Sequence, residues 1–261
     1  MRFNLNKQTS NKVLSAPRIF HLPPANDFGR LFVDGLLLKF EYQALNLNPE
    51  LLGQVTIIAS NKTLAHRIQE ILESYNFFIL PRVLHLGNLA EIFYEQNAKN
   101  PIKVRVLNKF EVISDLENFL LLNRIIKEIQ EEGFESLIKI TSFDLAHTLT
   151  NLIEELNIND LNVGDLKKLT EGELPQHLQL NLVLLKEVIK RYENFLTVEK
   201  LIDKNTKYLL DVKKLINFWR LNPHDKPLVL VGSTGSQLAT AKLMKAVTEL
   251  PQGLVVLPGL D

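Results

Sequence analysis

Hydrophobic residues are arranged in two different patterns along this chain. Short continuous apolar runs lie towards its two ends, and a helical period fills the middle. Mainly apolar runs occupy residues 18–22, 55–59, 228–231 and 254–257, and amphipathic segments lie next to them. Apolar runs joined through amphipathic helices are typical of parallel strands, because a sheet covered by helices on both faces has no polar side. We therefore predict that all four runs lie in one mainly parallel sheet.

The middle of the chain follows the helical period almost throughout, from about residue 109 to residue 220. Ser142 can cap one of its helices, and two longer helices are predicted at about residues 176–196 and 203–220. An earlier helix is predicted to present one apolar face, made of Phe110, Ile113, Leu116, Leu120 and Ile125.

Two predicted domains follow from these patterns. Residues 1–107 and 222–261 form an α/β core, and residues 108–221 form an all-helical subdomain inserted between two of its strands. A chain of 261 residues with 46% hydrophobic and 23% charged residues can bury such a core.

Polar residues at the strand ends of the core indicate where its helices begin. Asp27 can cap the helix after the first strand, and Ser60 or Asn61 can cap the helix after the second. Residues 77–80 and 83–86 flank a proline and are expected to contribute a further strand and its exit.

Charge is balanced overall but uneven along the chain. Thirty basic and thirty acidic residues cancel, so no global field draws the chain onto nucleic acid. Residues 1–107 hold 12 basic and 8 acidic side chains, residues 108–160 hold 4 and 11, and residues 181–220 hold 9 and 5. Any path of DNA should avoid the acidic middle segment.

The composition also excludes several kinds of site and segment. With no cysteine, these residues hold no disulfide, thiolate zinc site or iron–sulfur cluster. The polar first residues lack the apolar core of a signal peptide, and no apolar stretch reaches the roughly 18 residues of a membrane span. A cytoplasmic protein without membrane contact is expected.

The loop of residues 22–32, LPPANDFGRLF, lies where a nucleotide-binding strand–loop–helix would hold phosphate. It has one glycine, two prolines that remove amide donors, and no Gly-Lys-Ser/Thr sequence. Arg30 is the only cation nearby, and the strand at residues 228–231 carries no acid for magnesium. We predict that the chain neither binds ATP tightly nor hydrolyses it.

A second glycine-rich turn, GSTGS at residues 232–236, leaves two interpretations open. Its amides could cradle a phosphate at a helix start, or it could be a tight turn with a capping serine. It lacks the P-loop lysine, and the six histidines show no metal-ligand spacing. No catalytic residue, cofactor site or metal site is therefore predicted.

Five blocks, occurring in family order, resemble the N-terminal part of the alphaproteobacterial AddB family. They are RIFHLPP (18–24), VTIIASNKTLAHRI (55–68), LPRVLHLGNL (80–89), PQHLQLNLVLLKEVIKRYENFL (175–196) and the segment from GSTGS to VVLPGLD (232–261). AddB proteins are subunits of a helicase–nuclease for double-strand break repair. The resemblance implies a P-loop NTPase-like core, as in domain 1A of UvrD-like helicases, with a 1B-like helical insertion.

The same resemblance implies a DNA contact and a partner. The block beginning at Ser60, Asn61 and Lys62 resembles a T-N-K-A-A motif that contacts single-stranded DNA in UvrD-like helicases, although its simpler interpretation is a capped surface helix. These three residues are the candidate DNA-binding residues. The family implies an AddA-type helicase–nuclease subunit as partner, with only weak DNA binding by this chain in isolation.

The predicted function is that of a non-catalytic helicase-like module of an AddB-type subunit, acting in DNA-end processing and partner assembly. Two alternatives belong to other classes. One is a small α/β enzyme that binds phosphate or a nucleotide at the GSTGS turn, and the other is a pure protein-interaction scaffold.

Overall fold

The computed structural model describes residues 18–23, 26–41, 52–96, 110–134, 141–161 and 176–259. In chain order the elements are β1 (Ile19–His21), α1 (Phe28–Glu41), β2 (Thr56–Ala59), α2 (Lys62–Ser74), β3 (Arg82–His85), α3 (Leu89–Gln96), β4 (Glu111–Val112), α4 (Asp115–Ile129), α5 (Ser142–Ile158), α6 (Gln176–Glu199), β5 (Leu201–Ile202), α7 (Lys204–Leu221), β6 (Leu228–Val231), α8 (Leu238–Glu249) and β7 (Gly253–Leu257). A 3₁₀ turn at Leu86–Asn88 precedes α3, and a π-helical turn at Gln130–Phe134 follows α4.

The described residues divide into two compact units, and each has a hydrophobic core of its own. The sheet unit contains those up to residue 95 together with residues 212–236 and 240–259. The helical unit contains residue 96, the described residues from 110 to 211, and residues 237–239. Helix α7 contributes residues to both units.

The sheet unit is built on a five-stranded sheet with the order β1-β7-β6-β2-β3, in which every neighbouring pair is parallel. Val229 of the central strand β6 is opposite Ile57 of β2 on one side and Leu254 of β7 on the other. The prediction of one parallel sheet containing all four apolar runs is confirmed. Because the strands are parallel, their carboxyl ends meet at a single edge.

Burial explains why the strands of this sheet are so apolar. All four residues of β6 are buried, and so are the first four of β7. Helix α2 packs its apolar stripe against the sheet, as its period of 3.6 residues requires. The buried residues of that stripe are Ala65, Ile68, Ile71 and Leu72.

The chain passes unusually close to itself where α8 leads into β7. A Cβ atom added to Gly253 would lie 1.7 Å from the carbonyl oxygen of Val247, so only glycine fits there. Before β1, the guanidinium of Arg18 donates hydrogen bonds to the carbonyl oxygens of Thr248 (2.8 Å) and Leu250 at the end of α8. A cation there also complements the negative end of the helix dipole.

The helical unit is held by a core that α4, α5 and α6 share. Helix α4 begins with a capping box, in which the Glu117 amide donates to the Ser114 hydroxyl (3.3 Å) and the Ser114 amide to the Glu117 carboxylate (3.0 Å). At its other end, Glu132 accepts two hydrogen bonds from Arg191 of α6, at 2.9 and 2.6 Å.

Three details of the helical prediction are wrong. Phe110 and Ile113 precede α4, because the Ser114 capping box starts the helix after them. Glu111–Val112 pairs in parallel with Leu201–Ile202, so the predicted all-helical subdomain contains a small two-stranded sheet. Thr141, and not Ser142, caps α5, with the Asp144 amide donating to its hydroxyl at 3.1 Å.

Of the two runs expected to contribute a further strand and its exit, the second supplies β3 and the first, residues 77–80, forms no strand. Asn76 has a φ of 52°, which turns the chain out of α2, and Pro81 has no amide to donate to a neighbouring strand. Pairing with β2 therefore begins at Arg82, whose amide donates to the carbonyl of Val55 at 3.0 Å.

Within the described ranges, no helix combines the length and the apolar character needed to cross a membrane.

Candidate nucleic-acid interface

The three candidate residues lie where β2 ends and α2 begins, at the carboxyl edge of the sheet. The amide of Ser60 continues the strand pairing by donating to the carbonyl of Val231 at 2.9 Å. Asn61 precedes the helix, and Lys62 is its first residue. All three predicted residues are therefore adjacent on one rigid strand–helix connection.

The edge of the sheet at this point has a topological switch. From β2 the chain continues to β3 on one side, whereas from the neighbouring β6 it continues to β7 on the opposite side. In open parallel sheets, the loops diverge at such a point and leave a crevice that commonly binds ligands. The turns at residues 60–62 and 232–236 follow β2 and β6 and so lie at this switch point.

Asn61 is largely committed to the helix itself. Its backbone is extended, and its side-chain oxygen accepts the amide of Leu64 at 2.8 Å, which makes it the N-cap of α2. Its side-chain nitrogen lies 3.4 Å from the hydroxyl oxygen of Ser60. The predicted capping role is confirmed, and only the amide nitrogen of this side chain is left to reach a nucleic acid.

Lys62 is the candidate residue best placed to bind a phosphate. Its side chain is exposed, and it has no ion-pair partner among the residues that the structure describes. The first turn of α2 contains no acidic residue, so the positive end of the helix dipole is not neutralised there. Lys62 and this helix terminus therefore both attract an anion.

Gly232 is the residue at which the turns of residues 60–62 and 232–236 pack closely together. Its φ is +81°, and a Cβ atom at this position would lie 2.4 Å from Cδ2 of Leu64 and 3.1 Å from the hydroxyl oxygen of Ser60. Only glycine combines this conformation with such close packing. Residues 60–62 and 232–236 are far apart in the sequence, and no local pattern indicates that they are in contact.

The GSTGS turn uses part of its own hydrogen-bonding capacity internally. The Gly232 amide donates to the carbonyl of Val256 at 3.0 Å, and the Gly235 amide donates to the hydroxyl of Ser233 at 3.2 Å. Both glycine amides that a phosphate cradle would need thus have protein partners. This favours the tight-turn interpretation of the segment.

The start of α1, where the sequence analysis considered a phosphate-binding loop, already holds a carboxylate. Asp27 accepts the amide of Arg30 at 3.0 Å and the guanidinium of Arg67 at 2.5 Å. The hydrogen bond from Arg67, followed by that from the Arg30 amide, lowers the pKa of Asp27 below its usual value. The guanidinium carbon of Arg30 lies 5.7 Å from the ring centre of Tyr75, so this cation contacts an aromatic ring.

A negative charge at this helix terminus matters for nucleotide binding. Asp27 satisfies the dipole and the free amide that an incoming phosphate would otherwise use. An approaching phosphate would also be repelled by the carboxylate. The geometry therefore supports the prediction that the chain does not hold ATP here, and that prediction still awaits a binding measurement.

Within the described ranges, no group of three or more histidine, aspartate or glutamate side chains is arranged to hold a metal ion. His85, at the end of β3, accepts the Gly87 amide through Nδ1 at 3.0 Å and so ends its strand in a local turn. These residues supply no arrangement for metal-assisted chemistry.

No family model matches this chain, and no curated protein shows significant similarity to it. The relation to AddB proteins and UvrD-like helicases therefore depends on the residue blocks and stays a hypothesis. Independently of that resemblance, the molecule has an α/β fold with a five-stranded parallel sheet and a topological switch point between β2 and β6.

Proposed function

We propose that the chain is a non-catalytic, helicase-like module of an AddB-type subunit that contributes to DNA-end processing in the cytoplasm. Its fold would correspond to domain 1A of UvrD-like helicases, with the helical unit as the 1B-like insertion. An AddA-type partner would supply ATP-driven translocation. DNA would pass the carboxyl edge of the sheet at Ser60, Asn61 and Lys62.

The observation that carries this proposal is the exposed Lys62 at the carboxyl edge of the sheet, beside the switch point. A cation next to a helix N-terminus can hold a phosphate without reading the base, as a module that follows any DNA strand requires. The carboxylate of Asp27 at the start of α1 supports the non-catalytic part of the proposal. With zero formal net charge, binding by the isolated chain should be weak and salt-dependent.

The test is Lys62→Ala in the complete complex with the AddA-type subunit, measured on duplex DNA with a single-stranded tail. Loss of one phosphate contact should weaken binding equally for different tail sequences and reduce the salt slope by about one. Lys226→Ala is a matched control, since Lys226 is also exposed but precedes β6, at the opposite edge of the sheet.

Two results would contradict the proposal. One is an unchanged affinity and salt slope in Lys62→Ala, and the other is an equal change in the Lys226→Ala control. If substitutions of Lys or Arg in residues 181–220 abolish binding while Lys62→Ala does not, DNA follows the helical unit instead.

The enzyme alternative makes a different prediction, because it needs a phosphate at the GSTGS turn. Titration calorimetry with ATP and magnesium should show no saturable heat if the proposal holds. Micromolar binding that is lost in Ser233→Ala would favour the enzyme, since Ser233 accepts the Gly235 amide within that turn.

A further inference from the structure

The helical unit contains an apolar groove beside its small sheet. The groove has a volume of about 480 Å³ and lies between β4, α4, Phe195 of α6 and Leu201 of β5. Its lining includes the buried side chains of Ile113 and Leu121, while Leu120 at the same site is 51% exposed. The groove thus opens from the core of the unit to its surface.

Exposed apolar side chains extend this surface along α4. Leu116, one turn before Leu120, is 67% exposed, and Val112 of β4 is 41% exposed. Phe143 at the start of α5 is also exposed and contacts Phe119 edge to face, with ring centres 4.8 Å apart. Several large apolar side chains near one another on a surface are typical of a binding face.

The helical unit around this face is acidic. Its described residues 110–134, 141–161 and 176–211 carry fifteen acidic and eight basic side chains. One of the bases, Arg124, lines the groove itself, with its guanidinium carbon 5.0 Å from the Phe195 ring centre and its Nε 3.7 Å from a Glu128 oxygen. Arg124 offsets part of the charge at the groove, and the unit as a whole remains net negative.

Two of the acids line the groove itself, Glu111 and Glu117. Glu117 belongs to the capping box with Ser114, whereas Glu111 is exposed and has no ion pair within the described part of the chain. Carboxylates beside an apolar wall attract cations more strongly than they would in open water. The same field repels nucleic acid, anionic lipid and a second copy of this face.

We infer that the groove binds a segment of a partner protein in which large apolar side chains are flanked by lysine or arginine. The apolar side chains would fill the space between Leu120 and Phe195, and the cationic groups would stay at the rim near Glu111. Apolar anchors with a charged rim are the usual arrangement when a short segment docks into a groove. The groove belongs wholly to the helical unit, so its binding can be measured independently of DNA binding at Lys62.

The probe is a fluorescent synthetic peptide of about 14 residues, with leucines three and four positions apart and lysines elsewhere. Fluorescence anisotropy with the full chain should give saturable binding that weakens at high salt. A second peptide with the same leucines but glutamate in place of lysine should bind at least about tenfold more weakly.

Leu120→Ser should weaken binding of the lysine peptide about tenfold, because one apolar contact is lost. Val198→Ser is the matched control: Val198 is also an exposed apolar residue of the helical unit but does not line the groove, and its loss should change affinity less than about twofold. Glu111→Lys should weaken binding and flatten its salt dependence without removing a buried side chain, which keeps the test informative if Leu120→Ser folds poorly.

Several outcomes would overturn the inference. Equal binding of the lysine and glutamate peptides would remove the charge argument. Unchanged affinity in both Leu120→Ser and Glu111→Lys would place binding elsewhere. A concentration-dependent dimer that Leu120→Ser dissociates, seen by light scattering, would identify a second copy of the chain as the occupant.

Discussion

The sheet unit and the helical unit are held in place by different kinds of contact. In the sheet unit, the tightest packing involves backbone atoms and glycines, as where Gly253 passes the carbonyl of Val247. Polar side chains cap helices in both units, and in the helical unit the capping box of Ser114 and Glu117 fixes the start of α4. A substitution in the sheet unit should therefore destabilise mainly by steric clash. A substitution in the helical unit should destabilise mainly by removing hydrogen-bond partners.

The two candidate binding surfaces, at Lys62 and beside Leu120, differ in the same way. Lys62 lies on a strand–helix connection that follows the mostly buried strand β2, so its location tolerates little movement. The groove beside Leu120 lies between helices whose starting points depend on a few polar side chains. A binding site on the sheet edge should be more rigid than one in the helical unit, and the following substitutions test the comparison.

The largest effect is expected for Gly253→Ala in the sheet unit. The new Cβ atom would lie 1.7 Å from the carbonyl oxygen of Val247, so the backbone must shift. We expect a loss of about 3 kcal/mol or more in the free energy of unfolding, measured in urea. Hydrogen exchange should show that the backbone amides of β7 lose protection before those of the other elements. A loss below about 1 kcal/mol would mean that the close approach is easily relaxed.

Gly232→Ala should have the next largest effect, about 1–3 kcal/mol, from its positive φ and its contact with Leu64. Adding Leu64→Ala removes the contact but not the conformational strain, so the double substitution should destabilise less than the sum of the two single ones. Gly35→Ala is the control, because Gly35 lies exposed in α1 with no atom within 4 Å of an added Cβ. It should raise stability by about 0.5–1 kcal/mol.

Asp203→Ala tests the helical unit. Asp203 is buried, accepts the amides of Asn205 (3.0 Å) and Thr206 (2.9 Å) at the start of α7, and accepts the side chain of Asn157 at 3.2 Å. Losing a cap and a partly buried partner should cost about 2 kcal/mol of unfolding free energy. Asp203→Asn keeps the capping oxygen and should cost less than half as much. Equal losses would show that the charge, and not the cap, is what stabilises.

The smallest effect concerns His224, which precedes β6. Burial lowers the pKa of this imidazole below its ordinary value of about 6.5. The unfolded chain then binds more protons than the folded one below about pH 6.5, so stability present above that pH is lost as the pH falls. His224→Gln should reduce the stability difference between pH 7.5 and pH 5.5. An unchanged stability difference in His224→Gln would remove His224 as the cause.

Much of the fold could be predicted from local patterns. The apolar runs at residues 228–231 and 254–257 became adjacent parallel strands because a run without polar residues can be satisfied only inside a covered sheet. Asp27 and Asn61 cap their helices as predicted, since their short polar side chains reach the free amides of the first turn. Helix starts without an unambiguous cap were less predictable, as Thr141 shows.

The candidate site could be predicted only as separate pieces. The sequence by itself determined that residues 60–62 begin a helix and that residues 232–236 form a glycine-rich turn. Tertiary structure alone decided that β2 and β6 are neighbours and that Gly232 packs on Ser60 and Leu64. It also brought Arg67 to Asp27, forty residues away, and Glu111 beside Leu201. Such pairings depend on strand order and on contacts between distant residues, which a local period of two or 3.6 residues does not encode.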